Sequence, residues 1–96
     1  MDILFINDIA LTRVDALLAV KLLRGASVPI LGGDLYFERD GRIELDSASW
    51  CTDPKPGEGC EDYLARGWSN SEAFIEKIPE PSHGTVLFSI VIGKLL

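Results

Sequence analysis

The side chains that could carry out chemistry are few and are scattered along the chain. The only histidine, His83, lies between Ser82 and Gly84 in a segment rich in proline and glycine. A nucleophilic catalyst needs a nucleophile, a base and a group that orients the base. No Gly-x-Ser-x-Gly turn is present to supply the nucleophile. We therefore expect His83 to be an exposed loop residue, and the sequence predicts no catalytic residue.

Two cysteines, Cys51 and Cys60, could bind a metal ion together with His83. Structural zinc sites use four ligands, usually in Cys-x2-Cys pairs, whereas eight residues separate these cysteines and no fourth ligand stands out. A disulfide between them is geometrically feasible but is disfavoured in a reducing cytoplasm. The acids do not follow the spacing of a calcium loop, and Gly32-Gly33 lacks the lysine of a phosphate-binding loop. The sequence predicts no metal, no cofactor and two free thiols.

Acidic residues form the clearest pattern in the chain. The net charge is −6, and the whole excess falls in residues 34–62, which contain nine acids and three bases. Such a segment repels nucleic-acid phosphates and anionic membranes, and it attracts a basic protein. The alternative is a solvated surface that maintains solubility. We favour a basic protein partner, with no nucleic acid and no membrane as partners.

The first predicted element is a helix over residues 11–23. Thr12 or Asp8 could cap its N-terminus, and Gly25 is placed to end it. Apolar residues recur at helical spacing, which predicts one stripe that faces the core. The predicted core stripe is Leu11, Val14, Leu18 and Leu22; the apolar residues outside it are Leu17, Val20 and Leu23, which could form a homodimer contact.

A β-hairpin is predicted from strands 34–38 and 42–46. A two-residue Asp40-Gly41 turn would place Phe37 opposite Glu44, whereas a three-residue loop with Gly41 in the left-handed conformation pairs Glu38 with Arg42. The second register separates apolar from polar side chains, so we predict that register. Its core face would consist of Leu35, Phe37, Ile43 and Leu45, and its solvent face of Asp34, Tyr36, Glu38, Arg42, Glu44 and Asp46.

The second half of the chain predicts a loop, a helix and a strand. The loop covers residues 47–62, and a short helix begins near Asn70, where Ser69 and Glu72 have capping-box spacing. The strand Thr85–Ile92 is apolar on both faces, which predicts a central strand. The order α-β-β-α-β predicts a single α+β domain, 1–96, with a small, mainly antiparallel sheet packed by two helices. The predicted buried side of the second helix is Phe74, Ile75 and Ile78.

The run Ile-Leu-Gly-Gly-Asp-Leu-Tyr at residues 30–36 resembles the "ILGGD-apolar-Tyr" signature of immunity protein 40, a family of bacterial polymorphic toxin systems. The resemblance continues through the hairpin to Trp50 and on to Phe74-Ile75. Family members tend to have Asp-Asn before this tryptophan and Tyr after it, whereas this chain has Ala48-Ser49 and Cys51. The resemblance implies a small cytoplasmic protein that binds a cognate toxin domain and blocks it.

Charge and resemblance together predict an immunity protein, not an enzyme, that binds a basic toxin domain such as a nuclease through an acidic hairpin face. A cytoplasmic location agrees with the few cysteines and with the absence of a basic segment before the apolar N-terminus. Trp50 is expected to pack mainly inside the domain and to anchor the contact. The alternatives are a small hydrolase that uses carboxylates or His83, and a self-associating structural subunit. The predicted contact residues are Asp34, Tyr36, Glu38, Glu44, Asp46, Trp50 and Asp53.

Overall fold

The computed structural model describes residues 10–93, which form two helices and one antiparallel sheet. The sheet order is β2-β1-β3, and the chain order α-β-β-α-β confirms the predicted α+β class. Asp8, the alternative cap, and the N-terminal segment used for the prediction of location lie outside the described residues. The elements are α1 (Arg13–Gly25), β1 (Ile30–Arg39), β2 (Arg42–Cys51), α2 (Cys60–Lys77) and β3 (Thr85–Ile92).

Both helices pack against the same face of the sheet. Burial of a large apolar side chain contributes about 1.5–3 kcal/mol, and Phe88 and Ile75, both fully buried, join the sheet to α2. Among residues 10–93, no helix covers the opposite face of the sheet. The core consists of Ala16, Val20 and Leu23 from α1, Phe74 and Ile75 from α2, and Ile30, Leu35, Val86, Phe88, Ile90 and Ile92 from the strands.

The predicted core stripe of α1 is wrong for three of its four residues, since Leu11 packs against the core and the others do not. Val20 and Leu23 face the core, whereas Val14, Leu18 and Leu22 are exposed. The helix is leucine-rich on most sides, so apolar spacing alone does not choose its buried face. The buried face is the one that carries Ala16, which has no exposed surface and allows α1 to lie close to its neighbours. The predicted Thr12 cap is confirmed, since its hydroxyl accepts a hydrogen bond from the backbone N–H of Asp15.

The predicted hairpin register is also wrong. Arg39 pairs with Arg42, and a two-residue turn joins them, with Asp40 at φ 52° and Gly41 at φ 79°. Positive φ at both positions is the type I′ geometry that Asp-Gly favours, because its twist matches that of the strands. The carboxylate of Glu38 accepts a hydrogen bond from the N–H of Gly41 and closes this turn. Sorting of apolar side chains fails as a guide here because this end of β2 is exposed on both sides.

The second helix is longer than predicted, and the loop before it is shorter. β2 extends to Cys51 and α2 begins at Cys60, so the loop covers only residues 52–59. Gly59 occupies the N-cap without a side-chain bond, so the first turn carries no capping signal in the sequence. Gly67 and Ser71 contribute to the buried side of α2. Because these residues are small or polar, the apolar spacing becomes visible only at Phe74.

β1, not β3, is the central strand among the described residues. β3 matches its predicted bounds, but it pairs with β1 on one side, and Leu11 forms an isolated bridge with Phe88 on the other. Val86, Phe88, Ile90 and Ile92 lie beneath the helices, while Leu87 and Val91 are half-buried on the opposite face. Apolar residues on both faces of β3 therefore indicate partial cover on the second face rather than a central place in the sheet.

The paired glycines of β1 are required by close packing. A Cβ atom at Gly32 would overlap the carbonyl oxygen of Trp50, and one at Gly33 would overlap both the carbonyl oxygen of Ser89 and the indole of Trp50. That indole stacks on Phe74 with ring centroids 4.7 Å apart. Gly33 thus leaves the space in which Trp50 connects the hairpin to α2.

We expect Gly33→Ala to lower the free energy of unfolding by about 3 kcal/mol, because the added methyl group meets backbone as well as side-chain atoms. Gly25→Ala is the matched control, since nothing lies within 4 Å of a Cβ built there, and it should change stability by no more than about 1 kcal/mol. Urea unfolding of both variants measures the difference. Equal stability of the two variants would contradict the assigned position of Trp50.

Candidate functional site

The face of the sheet that the helices leave uncovered is the candidate functional surface, and we call it the open sheet face. Directly paired residues point to the same side of an antiparallel sheet, so the pairing defines its members. Gly33 and Leu35 point to the core, and their neighbours in β1 point outward. The open sheet face consists of Asp34, Tyr36 and Glu38 from β1, Ile43, Leu45 and Ser49 from β2, and Thr85, Leu87, Ser89 and Val91 from β3.

Tyr36 lies at the middle of the open sheet face. It is half-buried and sits between Leu45 of β2 and Leu87 of β3, which are its two cross-strand partners. Glu38 lies next to it, between Ile43 and Thr85. Ile43 and Leu45 are 57% and 64% exposed. The outcome of the two-residue turn is therefore an apolar patch with carboxylates beside it, whereas the predicted face carried four carboxylates together with Tyr36 and Arg42.

An open groove of about 520 Å³ lies at the other end of this face, and we call it the sheet-end groove. Gly32, which lacks a side chain, lies between Val91 and Cys51 in the sheet and lowers the surface there. Two carboxylates, those of Asp34 and Asp53, line the groove. The remaining lining residues are Leu31, Gly33, Ser49, Trp50, Thr52, Pro54 and Tyr63.

The loop of residues 52–59, which forms one wall of this groove, is tied to α2. Tyr63 donates its hydroxyl hydrogen bond to the carbonyl of Thr52 at 2.7 Å, and the guanidinium of Arg66 binds the carbonyl of Asp53. Arg66 also forms a two-pronged ion pair with Glu58, at 2.8 and 2.9 Å. Charged pairs of this geometry are stronger than neutral hydrogen bonds. The groove wall is therefore held in place by α2.

Two pKa values follow from these contacts. The hydrogen bond from Arg66, followed by the one from the backbone N–H of Lys55, lowers the pKa of Glu58 from its ordinary 4.5 to about 2. Burial, and then the negative charge of Asp53, raise the pKa of Tyr63. At neutral pH, Glu58 is therefore an anion that its loop and helix both stabilise, and the hydroxyl of Tyr63 stays protonated as a donor.

The predicted contact residues do not share one surface. Asp34, Tyr36 and Glu38 lie together on the open sheet face, and Asp53 lines the groove. Glu44 pairs with Phe37 and so points to the other side of the hairpin, which makes its predicted place on the same face wrong. The reason is again the two-residue turn, which shifts β2 by one position relative to the prediction.

Asp46 and Trp50 have structural contacts of their own. Residues 46–48 form a bulge opposite Leu35, where the carboxylate of Asp46 accepts a hydrogen bond from the N–H of Ala48 at 2.9 Å. The indole N–H of Trp50 donates to the hydroxyl of Ser71 at 3.0 Å. Trp50 is half-buried against the core, so most of its contacts lie inside the domain, with part of its surface at the groove.

The remaining candidates for chemistry stay apart. His83 is exposed, and its Nε2 lies 3.2 Å from the carboxylate of Asp40 at the hairpin turn. Cys51 and Cys60 are both exposed, free thiols. Over residues 10–93, no three metal-ligating side chains come together, and within the same range none of the helices is long and apolar enough to cross a bilayer.

Sequence reasoning missed the apolar half of the open sheet face and the groove. Apolar alternation predicts that Ile43 and Leu45 lie on the buried face of the hairpin. It predicts for Leu87 only a place in a strand that is apolar on both faces. The Asp40-Gly41 pair contained the correct signal, since it is the preferred sequence of a two-residue turn. Tyr63 was assigned to neither element nor site because the first turns of α2 lack apolar spacing. The groove depends on the long-range approach of α2 and has no local signal.

The fold and this surface define a small α+β domain in which two helices support one antiparallel sheet. The family model of immunity protein 40 matches residues 1–92, and the chain therefore belongs to the Immunity protein 40 family. Membership supports a role as an immunity protein with a cognate toxin as its partner. No curated protein and no solved structure matches the chain.

The ion pair at the groove wall predicts a defined pH dependence of stability. Because the folded-state pKa of Glu58 is depressed, its contribution is complete above pH 4.5 and is lost as the pH falls towards about 2. Urea unfolding should show that Glu58→Gln is less stable than wild type at pH 7, with the difference disappearing between those pH values. Glu44→Gln removes an equal charge without touching Arg66 and serves as the control. A difference that persists at pH 2 would contradict the ion pair.

Proposed function

We propose that this immunity protein neutralises its toxin by covering the toxin's functional surface with the open sheet face. The observation that carries this proposal is the exposure of Ile43 and Leu45 around Tyr36, beside the carboxylates of Asp34 and Glu38. Protein interfaces combine apolar and aromatic residues at the centre with a polar rim. An aromatic residue between apolar neighbours is the usual form of a binding hot spot. This combination supports docking of a protein more than it supports a solvated acidic surface.

The charge of the surface favours a basic toxin. The open sheet face contains the carboxylates of Asp34 and Glu38 and no basic side chain among its members, and Asp34 and Asp53 both line the sheet-end groove. A basic side chain of the toxin that enters the groove would meet these carboxylates, while Tyr36 and Leu45 meet an apolar part of the toxin. Many toxin substrates, nucleic acids among them, are handled by basic residues. In the cytoplasm, the immunity protein would then neutralise the toxin by covering these basic residues. It would carry out no chemical step itself.

Catalysis is the weaker alternative. A hydrolase would need His83 or a pair of carboxylates at a pocket. His83 is absent from the lining of the sheet-end groove and sits at the hairpin turn next to Asp40. Within residues 10–93, the hydrogen-bond partner of the His83 ring is the carboxylate of Asp40 and not a serine or cysteine, and binding is the function that we propose.

The function is tested by co-expression with a cognate toxin domain, with cell survival and co-purification as readouts. Wild type should rescue growth and co-purify with the toxin. Tyr36→Ala should weaken binding by about 30-fold, the effect of losing a hot spot worth about 2 kcal/mol. Leu22→Ala, which removes an exposed side chain of α1, should bind like wild type. Rescue without any complex would contradict the binding mechanism.

A charge-matched pair of variants tests which surface docks. At about 0.15 M salt the Debye length is about 8 Å, so only a carboxylate at the interface influences binding strongly. We expect Asp34→Asn to raise the dissociation constant by about tenfold or more. Glu44→Gln removes the same charge from the other side of the hairpin and should have little effect. Surface plasmon resonance measures both, and equal effects would show that net charge, not the open sheet face, determines binding.

A further inference from the structure

The helix layer exposes an apolar surface that the toxin-binding proposal does not use. Val14, Leu18 and Leu22 are 75%, 52% and 65% exposed, and we call them the α1 stripe. They follow one another at intervals of four residues on the side of α1 turned away from Ala16 and Val20, and they span about 12 Å. A row of large aliphatic side chains in water is unfavourable and usually marks a contact.

Charged residues flank the α1 stripe on the side of α2. A groove of about 270 Å³ between the helices is lined by Lys21, Glu72 and Glu76 together with Leu17 and Leu18. Glu72 is paired with Arg24 at 3.6 Å. Within residues 10–93, neither Lys21 nor Glu76 has an ion-pair partner within 4 Å. The stripe is therefore bordered by one cation and one anion that are both available.

We propose that a second copy of this chain packs on the α1 stripe, with the two α1 helices antiparallel about a two-fold axis at Leu18. In this arrangement each residue of one copy faces the residue of the other copy that lies at the same distance from Leu18 in the opposite direction along the helix. Leu18 meets the partner's Leu18, and Val14 meets the partner's Leu22. All three residues of each stripe are then covered by equivalent residues of the other copy.

The flanking charges fit this symmetry. α2 runs antiparallel to α1. Arg13, at the start of α1, binds the carbonyl of Ile75 near the end of α2, whereas Arg24, near the end of α1, pairs with Glu72, which comes earlier in α2. A two-fold axis that lies in the interface keeps both α2 helices on the same flank. Lys21 of the second copy lies in the C-terminal half of its own α1, and the axis places it beside the N-terminal half of the first α1. The partner's Lys21 therefore comes next to Glu76, and the same pair forms twice.

A second copy fits the α1 stripe better than a basic toxin does. The border of the stripe carries both signs of charge, and the acidic excess lies in residues 34–62. Asp15, on the opposite flank, would lie about 9 Å along the axis from its symmetry mate, close to the Debye length of about 8 Å, so their repulsion is weak. Three side chains per copy make a small interface, which predicts a weak, concentration-dependent dimer. Both open sheet faces stay uncovered in it.

Sedimentation velocity of the purified protein up to about 1 mM tests the proposal. The weight-average sedimentation coefficient should rise with concentration towards that of a dimer. Leu18→Glu should remain monomeric throughout, with an unchanged circular dichroism spectrum because the side chain is exposed. Leu45→Glu, an equal change on the open sheet face, should dimerise like wild type. A monomeric wild type at about 1 mM would overturn the proposal. So would a result in which Leu45→Glu is monomeric while Leu18→Glu still forms the dimer.

A charge exchange tests the two-fold arrangement itself. Lys21→Glu and Glu76→Lys should each weaken the dimer, and the double variant should restore it, since each symmetric pair then has its charges reversed. If the double variant dimerises more weakly than both single variants, the antiparallel arrangement is wrong. Toxin binding through the open sheet face is measured separately and would survive either failure.

Discussion

The position of Trp50 between Gly33 and Phe74 is the contact on which the rest of the structure depends. Its indole lies over a strand residue that has no side chain, stacks on Phe74 of α2 and donates to the hydroxyl of Ser71. One side chain thus joins the hairpin to the second helix through packing and a satisfied hydrogen bond. On the same helix, Gly67 lies so near the carbonyl of Ile30 that a Cβ atom would approach it to 2.8 Å, and this allows α2 to lie close to β1.

This connection determines which side chains are available to a partner. In the run of residues 30–36, Ile30 and Leu35 fill the core, and Gly32 and Gly33 provide space for neighbouring backbone and indole atoms. Asp34 and Tyr36 have no such function in the described part of the fold. They alternate with core residues and therefore point outward together. The same strand serves the fold with one face and presents polar and aromatic groups with the other.

The sequence was sufficient for the class of fold and insufficient for the surfaces. Strong local signals gave correct results: the capping threonine at the start of α1, and the bounds of β3 from a continuous apolar run. The errors occurred where several faces looked equally apolar or where burial was assumed. Leu18 of α1 and Ile43 of β2 are both aliphatic and both exposed, because the sheet and helices of so small a domain do not cover every apolar residue. Such choices depend on long-range packing, which local spacing does not contain.

The acidic excess also has a consequence for the protein in the absence of its toxin. β2 is an edge strand of the described sheet, and its exposed Ile43 and Leu45 would favour edge-to-edge association of unrelated chains. Glu38 lies directly beside Ile43, Glu44 lies between Ile43 and Leu45 on the other side, and the bulge at residues 46–48 interrupts the regular edge. Charge and bulge both oppose strand addition. The proposed basic toxin would be attracted by these carboxylates, so the residues that keep the apolar patch soluble would also favour that partner.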